Sequence, residues 1–182
     1  MALDEPILAA CDQLSPVAAA HRITLKPQIA GRYYVASEEG LLQALWVTLL
    51  ENAIRYSPTH SSIKIGCHLK KNLATVVGED RGAGIRPEDL SHMFERFYRG
   101  DASRSRDTGG FGLGLAIAKV LVEKHNGDIA VKSERGAGTI VRVVLPTQAL
   151  LGVSEPIKVR SYKQLGHFGI MSVLHCYFFC VC

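Results

Sequence analysis

Four glycines, Gly109, Gly110, Gly112 and Gly114, crowd the start of the apolar stretch GGFGLGLAIAKVL at residues 109–121. The rest of that stretch reads as a helix, where glycine costs roughly 1 kcal/mol relative to alanine. A chain that places four glycines there needs backbone freedom more than helix stability. Glycine permits positive φ and close approach of the backbone to a ligand. A glycine-rich turn opening into a helix also aims free N–H groups and the positive end of the helix dipole at an anion, the general device for holding phosphate. The same composition suits a flexible surface loop ahead of a helix, so this stretch alone leaves both readings open. Two familiar phosphate loops are excluded. GxxxxGK[ST] is absent, and Leu115 stands where GxGxxG requires its last glycine.

The pattern along the chain is mixed. Residues 4–20 read as a helix that Pro16 bends or interrupts. RITLKPQI and RYYVAS read as two strands about a turn at Gly31. Ser37 is the expected N-cap of a helix running to Tyr56, with Glu38 and Glu39 in its first turn. Leu42, Leu45, Trp46, Leu49 and Ala53 recur at helical spacing and form its expected core face. SSIKIGCHL and LATVVGED alternate as two strands. A loop-rich segment follows from Arg81 to Thr108, with a short helical piece at 87–93. A helix then spans about Gly112 to His125, and DIAVKS and GTIVRVVLP form a closing hairpin. This order predicts helices packed on one face of a mixed sheet. The character changes after Pro146. The expected organisation is a domain at 1–146 and an atypical tail at 147–182, disordered or frame-shifted.

Composition narrows the function. Of the 182 residues, 47% are hydrophobic and 21% charged, which is globular rather than disordered. The net charge of +4 suits an anionic ligand, but no basic run exceeds two residues, so no nucleic-acid partner is expected. The five cysteines, Cys11, Cys67, Cys176, Cys180 and Cys182, are odd in number and lack framework spacing, which points to a reducing compartment. No signal peptide opens the sequence, and no apolar run reaches the roughly 20 residues that span a bilayer. His167, His175 and the tail cysteines lack a recognised zinc spacing.

Two further groups carry chemistry. In EDRGAGI, residues 79–85, Gly82 and Gly84 allow a sharp turn beside Asp80 at a strand end. A carboxylate held there can accept a hydrogen bond from an exocyclic amine such as adenine's, although Asp-x-Gly also suits a solvated turn. Thr48, Asn52, Arg55 and Tyr56 share one polar helical stripe, which suits either a site or an exposed face. Asn is a neutral oxygen ligand suited to Mg²⁺, and Arg pairs with phosphate.

LLENAIRYSP, EDRGAGI, FERFYRG and GGFGLGLAIAKVLVEKHNGDI resemble, in order, the N, G1, F and G2 boxes of the catalytic ATP-binding domain of two-component sensor histidine kinases. GAGTIVRVVLP resembles its closing glycine-Thr box and final strand, and the likeness covers residues 4–146. The resemblance implies an α/β fold, the two-layer Bergerat sandwich, with about three helices on a mixed, mostly antiparallel sheet of about five strands. It implies ATP and Mg²⁺ as cofactors, with Asn52 as the Mg²⁺ ligand, Arg55 near the phosphates and Tyr56 near the nucleotide. Asp80 would hold the adenine amine, with Gly82, Gly84 and Ile85 shaping the pocket and Thr139 supporting it. Gly110, Gly112, Leu113 and Gly114 would carry the phosphate-side loop. Residues 98–111 would be a mobile lid, with Phe94 and Phe97 as its hydrophobic hinge and packing anchor. Arg104 and Arg106 would lend it charge or simply be solvated.

There are two departures from the pattern. Thr48, counted with Asn52 and Arg55 in the catalytic set, stands where the N box usually begins with Asn. Arg81 stands where the G1 box usually has Asn. ATP-hydrolysing relatives use a Glu at the Thr48 position as a base, and Thr is no general base at neutral pH. Glu51 points about 100° away around the helix. Little intrinsic ATP hydrolysis is therefore expected, whereas transfer to a histidine rests on positioning and charge neutralisation. None of the seven histidines, His21 and His125 included, lies in a phosphoacceptor motif. The expected partners are thus a separate dimerisation domain bearing that histidine and, indirectly, a response regulator. The expected setting is the cytoplasmic portion of an inner-membrane sensor. The alternative is a non-catalytic module that binds adenine nucleotide or a partner.

Overall fold

In the computed structural model, the described residues are 1–29, 31–38, 40–100 and 111–147. Gly110, Arg104, Arg106, most of the expected lid and the tail from residue 148 lie outside them. Five strands form one sheet in the order β1-β2-β3-β5-β4. They are β1 (Thr24–Ile29), β2 (Ser62–Lys70), β3 (Leu73–Asp80), β4 (Asp128–Glu134) and β5 (Gly138–Pro146). The β1–β2 pair is parallel and the other three pairs are antiparallel. Pro27 sits in β1, an edge strand, where a missing N–H is tolerated.

Among the described residues there are also three long helices, α1 (Asp4–Ala20), α2 (Leu41–Tyr56) and α4 (Gly114–Lys124), and the single turn α3 (Pro87–Leu90). The core lies between the helices and one face of the sheet. Ile7, Leu42, Leu45 and Val122 from the helices meet Ile63, Ile65, Val76, Val143 and Leu145 from the strands, all buried. Burying each such side chain stabilises by about 1.5–3 kcal/mol. This is the expected two-layer α/β sandwich.

Local expectations fail at identifiable points. The helix α1 continues through Pro16 without interruption. RYYVAS is not a strand: Tyr34 bridges only Ala2, and Val35 only Thr147. Ser37 does not cap α2, which begins after Gly40 in a left-handed conformation (φ 80°). The Ser37 hydroxyl instead bonds Nε2 of buried His125 at 2.7 Å, and His125 Nδ1 bonds the Leu121 carbonyl at 2.6 Å. The core stripe of α2 runs through Leu42, Leu45, Trp46, Leu50 and Ile54, while Leu49 and Ala53 are only half-buried beside it.

Candidate functional site

The residues singled out in the sequence gather at one end of the sheet, where β3 ends and α2 and α4 meet. Asp80 is the last residue of β3 and pairs in register with Thr139 of β5. Its Oδ1 accepts the N–H of Gly82 at 2.8 Å and that of Thr139 at 3.2 Å. Oδ2 has no protein hydrogen-bond partner among the described residues. Burial pushes the Asp80 carboxyl above the usual carboxylate range, and the two N–H groups pull it partly back. A buried carboxylate with one satisfied oxygen presents the other as an acceptor.

The turn after Asp80 is held from two sides. The Ala83 N–H donates to the Tyr56 carbonyl at the end of α2 at 3.3 Å. On the other side, the Gly136 N–H donates to the Ala83 carbonyl at 2.8 Å, and the Ile85 N–H to Ser133 Oγ at 2.9 Å. Ser133 also donates to the Gly138 carbonyl at 2.7 Å and bonds Thr139 Oγ1 at 2.9 Å. Gly84 adopts φ +69°, and a Cβ there would collide with the Glu134 carbonyl. The turn and the β4–β5 hairpin are thus in backbone contact.

Helix α4 starts against α2. A Cβ on Gly114 would lie 3.2 Å from Asn52 Nδ2 and 3.4 Å from Thr48 Cγ2. No side chain caps α4 at Leu113. Its first N–H groups are therefore available to a ligand beside the Asn52 amide. The Thr48 hydroxyl donates back to the Ala44 carbonyl at 2.8 Å. Arg55 and Tyr56 are exposed at the end of α2.

Both ends of segment 98–111 are fixed. The Phe97 N–H donates to the Gly112 carbonyl at 2.9 Å, and Gly112 (φ +69°) lies so close that a Cβ would be 2.7 Å from the Tyr98 carbonyl oxygen. Phe97 is not the expected packing anchor: its side chain is 70% exposed, and its backbone makes the attachment. The Phe94 ring is half-buried, with Lys119 Nζ 5.7 Å from its centroid. Asp89, buried within α3, receives Arg86 Nε at 2.7 Å and the Tyr98 hydroxyl at 2.6 Å, while Arg86 also donates to the Gly100 carbonyl at 2.8 Å. Those hydrogen bonds, the guanidinium's first, hold the Asp89 carboxyl below the usual range.

Residues 37–149 match the family of histidine kinase-, DNA gyrase B- and HSP90-like ATPases. The chain belongs to this family.

The relatives it resembles are sensor histidine kinases. It is 38% identical over 136 residues to the sensor histidine kinase RppB of Synechocystis, covering 74% of this chain and 30% of RppB. It is 44% identical over 112 residues to the sensor-like histidine kinase SenX3 of Mycobacterium tuberculosis, covering 62% and 27%. The chain thus spans less than a third of these curated relatives. Among solved structures, the mycobacterial sensor histidine kinase MprB superposes with a TM-score of 0.71 at 26% identity, over 81% of this chain and 96% of that one. The catalytic domain of the histidine kinase ThkA shares the fold, with a TM-score of 0.69 at 21% identity over 80% and 93%.

The family fold brings together most of the residues singled out in the sequence. Asp80, Gly82, Gly84, Ile85 and Thr139 form one hydrogen-bonded cluster. Thr48, Asn52 and Gly114 come together by packing, where α2 meets the start of α4. Gly110 lies outside the described residues. Sequence reasoning missed Ser133 and the Arg86–Asp89–Tyr98 group. The hairpin register, which sets Ser133 opposite Thr139, is the signal that finds the first. The i, i+3 spacing of Arg86 and Asp89 finds part of the second.

Proposed function

We propose that this domain binds Mg-ATP and passes the γ-phosphate to a histidine on a separate dimerisation domain in two-component signalling. The observation that carries the reading is the meeting of Asn52 with the uncapped start of α4 at Gly114. It puts the Asn52 side-chain amide, whose Oδ1 lies 3.8 Å from a Gly114 Cβ position, beside backbone N–H groups, and an amide oxygen with such N–H groups is the pairing a metal-bound polyphosphate needs. Adenine sits at the other end, its amine donating to Asp80 Oδ2, with Ile85 bordering it, while Gly112, Leu113 and Gly114 stay on the phosphate side. Arg55 and Tyr56 extend toward the phosphates and nucleotide, and Thr139 positions Asp80 through its N–H.

The donor chemistry fits magnesium, which takes few protein ligands and keeps several waters. Asn52 offers one neutral oxygen, and no cluster of three or more acidic, Cys or His side chains offers a competing metal site among the described residues. Magnesium, when bound, neutralises phosphate charge. The chain's own residues orient the phosphates and leave attack to the acceptor imidazole. Thr48, with its hydroxyl proton engaged by Ala44, supplies no base for water. The domain is taken as residues 1–146, with β5 closing the sheet at Pro146. Among the described residues no helix is long and apolar enough to cross a membrane. We infer that the domain works on the cytoplasmic side of a membrane-anchored sensor.

Asn52→Ala is expected to reduce Mg-ATP-dependent phosphorylation of an added acceptor domain by about 100-fold, read by phosphate incorporation into its histidine. Unchanged transfer removes Asn52 from the site. The raised Asp80 carboxyl gives a second test. A protonated Oδ2 cannot accept the adenine amine, so ATP affinity should fall as pH drops through a midpoint above the ordinary value of 3.8. Folding stability should move the opposite way at this residue. A carboxyl raised in the fold contributes most when protonated and loses that contribution as pH rises through its folded value. ATP titrations and melts across this range check both signs.

A further inference from the structure

The helices cover one face of the sheet, and the other face carries charges that the nucleotide reading does not use. Ile63, Ile65 and Cys67 of β2 are buried toward the helices, so strand alternation sends His68 and Lys70 to the outer face. Val143 and Leu145 of β5 are likewise buried, which puts Arg142 on the outer face as well. Between them runs β3. Its register sets Thr75 opposite His68, Leu73 opposite Lys70 and Val77 opposite Arg142. Three basic side chains thus flank a short hydroxyl, and β3 brings no carboxylate to this part of the face. Its Glu79 lies farther along the strand, paired with Lys64 at 3.8 Å.

Among the described residues no ion pair involves His68, Lys70 or Arg142. Asp128 on β4, opposite Val144 and so diagonal to Arg142, makes none either. Partial burial, and after it the charges of Arg142 and Lys70, hold the His68 imidazole below its ordinary value of 6.5. Both cations are thus close enough to act on His68. Like charges set side by side across strands destabilise a sheet, and a bound anion relieves them. Arginine offers a planar fork, lysine and imidazolium offer point donors, and Thr75 adds a hydroxyl. Donors converging from three strands suit a tetrahedral oxyanion better than a planar carboxylate with two oxygens. We propose that His68, Lys70, Thr75 and Arg142 form a binding site for a phosphate group on the outer face of the sheet. Thr75 lies roughly 17 Å along β3 from Asp80 and on the opposite face, so this site is separate from the nucleotide site. The phosphate belongs to a soluble ion or to a lipid headgroup, and the test separates the two.

Proton NMR of the full chain reads the pH midpoint of His68, assigned by its loss in His68→Gln, in inorganic phosphate and in sodium chloride of equal ionic strength. Phosphate binds the imidazolium better than the neutral ring, so it raises the midpoint. The expected result is a midpoint below 6.5 in chloride. In phosphate it should be higher by about half a pH unit or more. Arg142→Gln should abolish that rise and bring the chloride midpoint nearer its ordinary value. Lys132→Ala, which removes another outer-face cation on β4, should leave the rise intact. Lys70→Gln gives the same reading as Arg142→Gln if the latter does not fold. The second arm is sedimentation with phosphatidylcholine vesicles with and without phosphatidylglycerol. Binding to the anionic vesicles that Arg142→Gln weakens about fivefold or more assigns the site to a lipid headgroup. A phosphate response without vesicle binding assigns it to a soluble phosphate. No rise in phosphate, together with vesicle binding that is absent or indifferent to Arg142→Gln, overturns the site. An equal rise in Arg142→Gln, or an equal loss in Lys132→Ala, overturns it as well, because the response then belongs to the face as a whole.

Discussion

Asp80→Asn should lower ATP affinity by roughly 100- to 1000-fold while leaving the protein at least as stable. The argument rests on which way the amide must face. Two backbone N–H groups, from Gly82 and Thr139, converge on Oδ1 and need an acceptor there. The Asn carbonyl oxygen must take that place, which turns its NH₂ toward the ligand. A donor then meets the donating amine of adenine, and the acceptor the ligand needs is gone. Both backbone hydrogen bonds survive, and a buried charge is removed, so the melting temperature should hold or rise. Titration with a fluorescent ATP analogue and a thermal melt read the two effects separately. Full ATP binding by the Asn variant would mean that adenine lies elsewhere.

Gly84→Ala should be the most damaging single methyl in the site. Alanine at φ +69° costs about 1–2 kcal/mol by itself. The new Cβ would also run into the Glu134 backbone carbonyl, which the β4–β5 ladder holds in place. A total loss of roughly 3–5 kcal/mol follows, or about 10 °C in melting temperature, with ATP binding weakened because the turn and the hairpin must part. Gly136→Ala is the control. It has a similar φ of +83° but open space around its Cβ, so only the conformational cost applies. Equal destabilisation by the two variants would show that the close approach at Gly84 contributes nothing.

The sequence made the frame of this fold legible because its strands alternate and its boxes fall in order. SSIKIGCHL and LATVVGED became β2 and β3, and DIAVKS and GTIVRVVLP became the closing hairpin. The failures share a cause, namely a distant partner that outcompeted a local preference. Ser37 has the composition of an N-cap, yet its hydroxyl is drawn to His125, 88 residues away. RYYVAS has strand composition, but it pairs only through the isolated bridges Ala2–Tyr34 and Val35–Thr147, too briefly for a ladder. Phe97 looks like a packing residue and is instead held by its main chain. In the site, Asp80 was visible as a carboxylate at a strand end. That one of its oxygens is tied and the other left open depends on β5, which no local pattern reports.

Tyr34 and Val35 also have a topological consequence. Ala2 bridges Tyr34, and Thr147 bridges Val35, so positions 145 residues apart in the chain meet on one two-residue segment. Strands that pair lie about 4.8 Å apart, which puts Ala2 and Thr147 within roughly 10 Å of each other. A linker of about five residues would close residues 1–147 into a ring. The fold can then be opened elsewhere, and the turn between β2 and β3 at Lys71 and Asn72, exposed and away from Asp80, is the natural place for new ends in a circular permutant.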